Sequence, residues 1–323
     1  EITTRLVGSE MCIRDRFQEA SIMNKWQKIG LAVGMGTAVI TTTHLINSII
    51  FKLSTANNYT GKRIRSNYQW KFGNIAYITA GSGSPLLLIH DLNSYSSSYE
   101  WEQTINSFAK NHKVYAIDLL GCGHSDKPNL TYTTFMYTQL INDFVLNVIR
   151  SKTDVVATAG STPIVIMAAF NNHALFNKII LVSPLSVEDA LKGPDNLSGI
   201  RRHILNVPVI GTSVYNILFN RPSLRKLLSK NFIDGRIPAD YINACHENAH
   251  LGDASAKYLF ISTECNFTTV TISKALSELD NCIYMINGMH NNNDVIDEYI
   301  HINPAIENVM IQDAKKLPQV EQP

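Results

Sequence analysis

Asp154-Val155-Val156-Ala157-Thr158-Ala159-Gly160-Ser161-Thr162-Pro163, followed by Ile164-Val165-Ile166-Met167-Ala168-Ala169-Phe170, reads as a β-branched run, a tight turn of small residues and an apolar helix. Such a strand-to-helix turn can lift one side chain clear of the sheet, and small neighbours are needed because the backbones pack closely. Two registers fit. In the frame Ala159-x-Ser161-x-Pro163 a serine hydroxyl stands at the tip, and Pro163 falls in the first helical turn, where its missing N–H costs nothing. In the frame Ala157-x-Ala159-x-Ser161 the tip is an alanine, with nothing to attack a substrate. The first frame is preferred because it puts a hydroxyl at the turn; a serine that merely caps the helix is the plainer alternative.

Working outward, Leu86-Leu87-Leu88-Ile89-His90 is apolar on both faces and predicts a buried strand. Tyr68 to Thr79 reads as a hairpin turning at Gly73-Asn74, and Lys113-Val114-Tyr115-Ala116-Ile117-Asp118 as another strand. Helical stretches lie near 99–109 and 133–150. Strands alternating with helices predict an α/β fold whose mostly parallel sheet carries helices on both faces.

Three segments in this order resemble the α/β-hydrolase family. Leu87-Leu88-Ile89-His90-Asp91, with Ser96 to Trp101 after it, is similar to that family's oxyanion loop, with Asp91 where glycine is usual. Asp118-Leu119-Leu120-Gly121-Cys122-Gly123-His124-Ser125-Asp126-Lys127-Pro128 resembles its D-x-x-G-x-G-x-S-D-x-P loop. The turn at 159–163 and the strand ending Ile180-Leu181-Val182-Ser183-Pro184 come third. The resemblance implies a serine hydrolase of an ester or related acyl bond. Ser161 would be the nucleophile, and the backbone N–H groups of Leu92 and Thr162 would form the oxyanion hole. The family's histidine position falls on Lys316, in Lys316-Leu317-Pro318-Gln319-Val320-Glu321-Gln322-Pro323, and its acid position on Asn291. Asp294 and Asp189 are alternative acids. A lysine base and an uncharged acid make a non-catalytic, ligand- or partner-binding descendant the second reading.

Residues 192–262 turn helical and read as a cap inserted between core segments 57–191 and 263–323; the family's C-terminal helix is not recognised after Pro323. His246-Glu247-Asn248-Ala249-His250 in the cap matches the zinc-peptidase pattern H-E-x-x-H, which needs a third ligand that the sequence does not supply. No metal and no cofactor are expected. Five scattered cysteines without C-x-x-C spacing argue against a disulfide framework.

Residues 1–22, with Glu10-Met11-Cys12-Ile13-Arg14-Asp15-Arg16 resembling translated adapter, read as a non-native leader before Met23. Segment 23–56 holds an uncharged run from Ile29 to Phe51, which predicts a membrane anchor through 29–51 of undetermined orientation. A net charge of +1 without basic runs gives no reason to expect nucleic acid. The expected partners are a small ester-like substrate or ligand and a membrane.

Overall fold

The computed structural model describes residues 24–323, so the expected leader at 1–22 and the start at Met23 lie outside the described residues. The chain divides into two units, with the boundary between Ile46 and Asn47. The first is described from Asn24 and consists of most of an apolar helix, α1 (Lys25–Thr55).

The second unit is built on eight strands: β1 (Ser66–Trp70), β2 (Gly73–Ala80), β3 (Ser84–Ile89), β4 (His112–Ile117), β5 (Thr153–Thr158), β6 (Phe176–Val182), β7 (Cys282–Gly288) and β8 (Glu307–Ile311). They form one sheet in the order β1-β2-β4-β3-β5-β6-β7-β8. The β1/β2 and β2/β4 pairs are antiparallel, and the remaining pairs are parallel. β3 and β5 sit side by side at the centre, which explains why both are apolar on successive residues. Alternation then divides them between two faces. Leu87, Ile89, Val155 and Ala157 pack under helices α2 (Thr134–Phe144) and α3 (Thr162–Asn171), while Leu86, Leu88 and Val156 pack with Trp101 and Ile105 on the other side.

The 118–128 loop serves the architecture. Asp118 is fully buried and accepts the N–H groups of Ser98 and His124 at 2.7 and 2.9 Å, with Arg65 Nε 3.7 Å away. Ser125 Oγ donates to the Asp118 carbonyl and accepts Ala76 N–H, which ties the loop to β2. Gly123 has φ +46°, and a β carbon there would lie 2.5 Å from the Asp118 carboxylate, so only glycine fits.

Between β6 and β7 the chain is helical from Val187 to Glu278, a wider stretch than 192–262. A short helix at Val187–Leu191, capped by Ser186, comes first, and another at Ser273–Glu278 comes last. The longer members are α4 (Ser198–Asn206), α5 (Pro208–Leu218), α6 (Arg221–Ser229), α7 (Ala239–His250) and α8 (Lys257–Glu264). Their core gathers Tyr215, Phe219, Leu224, Phe232, Tyr241 and Ala249 around Tyr95 of the loop after β3. Phe51, near the end of α1, joins that cluster, and Asn47 hydrogen-bonds Ser213 and Asn216 of α5.

Candidate functional site at the strand-to-helix turn

β5 ends in extended backbone at Thr158, φ −109° and ψ 141°. The next residue, Ala159, has φ +40°, a conformation that costs a residue with a β carbon about 1–2 kcal/mol. The tip of the turn is therefore Ala159, the second of the two registers, and not Ser161. Ser161 has ordinary right-handed backbone (φ −88°, ψ −11°), is wholly buried, and donates its hydroxyl to the His90 carbonyl at 2.5 Å. Thr162 does not face a cavity with its N–H either, because that group is bonded to the Ala159 carbonyl.

The N–H following the tip belongs to Gly160, and it already has an acceptor: Asp91 Oδ1 at 2.8 Å. The other oxygen of Asp91 accepts from Asn93 Nδ2 at 2.6 Å. A β carbon on Gly160 would lie 2.9 Å from Asp91 Oδ1 and 3.6 Å from Leu92 N, so the absent side chain is what lets the loop close on the turn. Leu92 N thus lies beside the turn.

Beneath this contact stands a residue that sequence reasoning passed over. Glu100, 4% exposed, accepts Asp91 N–H with Oε2 at 3.1 Å. Its Oε1 accepts from Thr158 Oγ1 and from Gln319 Nε2 at 2.7 Å. One carboxyl therefore joins the loop after β3, the end of β5 and the helix Pro318–Glu321. Burial first, and the Asp91 charge second, push the Glu100 carboxyl up to about 7. A carboxylate quoted only as part of a loop gives no sign in sequence that it will be buried under the turn.

The loops after β7 and β8 are bonded to each other through His290 N–H and the Ala314 carbonyl, 3.0 Å. The structure brings Lys316 to the turn but not Asn291. Lys316, its N–H on the Asn231 carbonyl, lines a cavity of 330 Å³ with Asp91, Leu92, Gly160, Pro163 and Lys230. Asn291, Asp294 and Asp189 do not line it. Asp294 opens helix α9 (Asp294–Ile302) and is exposed. Asp189 is paired with Lys192 at 2.5 Å, and that hydrogen bond holds its carboxyl below the usual range. A second cavity of 480 Å³ shares Asn93, Tyr95, Leu227, Lys230 and Thr263 with the first, so the two form one cleft between core and helical insertion.

The H-E-x-x-H segment lies on α7 with all five residues buried. Glu247 spends both oxygens on the chain before β1, accepting Tyr59 N–H at 2.7 Å, Thr60 N–H at 3.1 Å and Thr60 Oγ1 at 2.7 Å. Burial lowers the pKa of both imidazoles, that of His246 to about 4. Among the described residues no group of three His, Cys, Asp or Glu side chains is placed to hold a metal ion. The zinc-peptidase reading fails on this arrangement, because the glutamate that would activate water is the anchor of residues 59–60.

Residues 84–202 match the profile of the family described as alpha/beta hydrolase fold. The chain is 29% identical over 106 residues to a soluble epoxide hydrolase of Corynebacterium sp. (strain C12), covering 33% of this chain and 36% of that protein. It is 34% identical over 70 residues to 2-hydroxy-6-oxo-6-(2'-aminophenyl)hexa-2,4-dienoic acid hydrolase of Metapseudomonas resinovorans, covering 21% and 24%. These matches span about a quarter to a third of the curated relatives. Among solved structures, a serine hydrolase involved in carbazole degradation superposes with a TM-score of 0.67 at 16% identity, over 80% of this chain and 94% of that one. A likeness at that identity speaks to the fold.

Proposed function

We propose that this chain, a member of the α/β-hydrolase fold family, binds a small molecule in the cleft under its helical cap without hydrolysing it. The observation that carries the reading is Ala159 at the tip of the turn, with φ +40°. A methyl group cannot attack a carbonyl, and the serine hydroxyl on the turn, that of Ser161, is buried and committed to the His90 carbonyl.

Two further features support it. An oxyanion hole works by presenting N–H groups to a developing negative charge. The Gly160 N–H instead meets the Asp91 carboxylate, which repels such a charge and takes the donor that would receive it. Lys316, at the family's histidine position, would also have to lose its proton before acting as a base. The cap is part of the same proposal, and so is the membrane anchor. Helix α1 has a mean hydropathy of 1.5 over its most apolar 18 residues, enough to cross a bilayer by length and composition, although a signal sequence meets the same criterion. Exposed Ile200, Ile204, Ile210 and Ile217 on the insertion suit a surface that works at a membrane.

The test is labelling of the folded full chain with a fluorophosphonate, with circular dichroism as the folding control. The expected result is no labelling. A folded protein that is labelled, and loses the label on Ser161→Ala, would sink the proposal and restore Ser161 as nucleophile. That substitution should otherwise act on stability alone, lowering it by about 1–2 kcal/mol in urea titrations because the His90 carbonyl loses a buried partner.

A further inference from the structure

We propose that the cleft holds an amphiphilic monoanion, of which a long-chain carboxylate is the simplest case, with its head at Lys230 and Lys316 and its tail along Tyr95, Phe219 and Phe260. The inference rests on the non-catalytic reading above and supplies the ligand class for that site.

The charge pattern comes first. Lys230 and Lys316 line the inner cavity together, and neither makes an ion pair or a side-chain hydrogen bond among the described residues. The carboxylate in the same cavity, Asp91, already accepts the N–H of Gly160 and the side-chain amide of Asn93. Counting the side chains that line it, two ammonium groups against one carboxylate leave the cavity one net positive charge; Asp189, which feels the Lys316 charge, lies outside the lining and is paired with Lys192. A single anionic head balances it, whereas a dianion would overshoot and be repelled by Asp91. Lys316 belongs to this chain's departure from its family: where a hydrolase keeps an imidazole, this cavity carries a lysine.

The larger cavity, whose lining pairs an aromatic and leucine stretch with one further lysine and one glutamate (Lys226 and Glu264), adjoins the first through the shared Tyr95, Leu227 and Lys230. Its wall is aromatic, with Tyr95 and Phe219 ring centroids 6.0 Å apart and Phe219 and Phe260 5.1 Å apart. Leu218 and Leu227, each 45% exposed, stand along it uncovered. The volumes of 330 and 480 Å³ fall in the range of small-ligand pockets. A ligand with a charged end and an apolar end would neutralise one half and cover the other, in that order from the turn outward.

The test is equilibrium dialysis of radiolabelled dodecanoate against the full chain in a nonionic detergent, with 1-dodecanol as the neutral-headed comparison. Dodecanoate should bind saturably and dodecanol about tenfold more weakly. Lys316→Ala and Lys230→Ala should each weaken dodecanoate by about tenfold and leave dodecanol unchanged, while Lys316→Arg should retain most of the affinity. Asp91→Asn should tighten dodecanoate, because it removes the opposing charge. Equal binding of acid and alcohol, unmoved by the lysine variants, would show an apolar groove without a head site and overturn the proposal. So would a folded protein with no saturable dodecanoate binding. Fluorophosphonate labelling separates this failure from that of the function: a labelled chain that still binds dodecanoate through its lysines would hold the carboxylate as a hydrolytic product.

Discussion

Four substitutions made together, Ala159→Ser, Asp91→Gly, Asn291→Asp and Lys316→His, should convert a chain that ignores fluorophosphonates into one that is labelled at position 159. Each change answers one feature of the site. Ala159 is buried but already has the left-handed backbone of a strained tip, so a hydroxyl there would need no rearrangement of the backbone. Lys316 lines the cavity beside the neighbouring Gly160 and would become the base. Asn291 follows β7 on a loop bonded to the loop of Lys316, from which a carboxylate could orient the new imidazole. Asp91→Gly would release the Gly160 N–H for the developing oxyanion. A working triad is worth about 10⁶ in rate, so Ala159→Ser alone should remain unlabelled on any practical timescale. Keeping Asp91 while restoring the other three should slow labelling by about 10²–10³, the value of one oxyanion donor. Time-resolved labelling with mass-spectrometric assignment of the modified residue would decide it. Modification at Ser161 instead of 159 would contradict the register.

Asp118→Ala should cost about 3–5 kcal/mol of stability, because it leaves Arg65 without its buried counter-charge and the N–H groups of Ser98 and His124 without an acceptor. The pH dependence distinguishes this cause from simple loss of volume. Burial alone would raise the Asp118 pKa, but His90, Arg65 and the two N–H groups together outweigh it and hold the carboxyl below its usual value. A depressed carboxylate pKa contributes stability that is present above the unfolded value of about 3.9 and is lost as pH falls through the folded value. Wild-type protein should therefore lose part of its urea resistance in acid, and Asp118→Ala should lose correspondingly less over the same window. Parallel pH profiles for the two proteins would mean that Asp118 fills space without holding charge.

Much of the architecture was readable before any coordinates, because it depends on local pattern. Unbroken apolar runs at 86–89 and 155–157 identify strands buried on both faces, wherever they sit in the sheet. The 118–128 loop is recognisable because its glycine and its buried aspartate answer constraints within a few residues of each other. The helical character of the segment between β6 and β7 was likewise legible, because that stretch lacks strand patterns.

The chemistry at the turn was not legible in the same way. Ala159-Gly160-Ser161 permits two registers, and local preference cannot choose between them. The choice is made by where β5 stops pairing with its neighbours: Ala157 opposes Ile89, and Thr158 opposes Val182. Those contacts join residues far apart in the chain, and they leave Ala159 as the first residue past the ladder. The same holds for Asp91 on Gly160, Glu100 under Thr158 and Glu247 on residues 59–60. In each case a carboxylate of ordinary sequence context takes its role from a backbone N–H or a hydroxyl that only the folded sheet and insertion bring within reach.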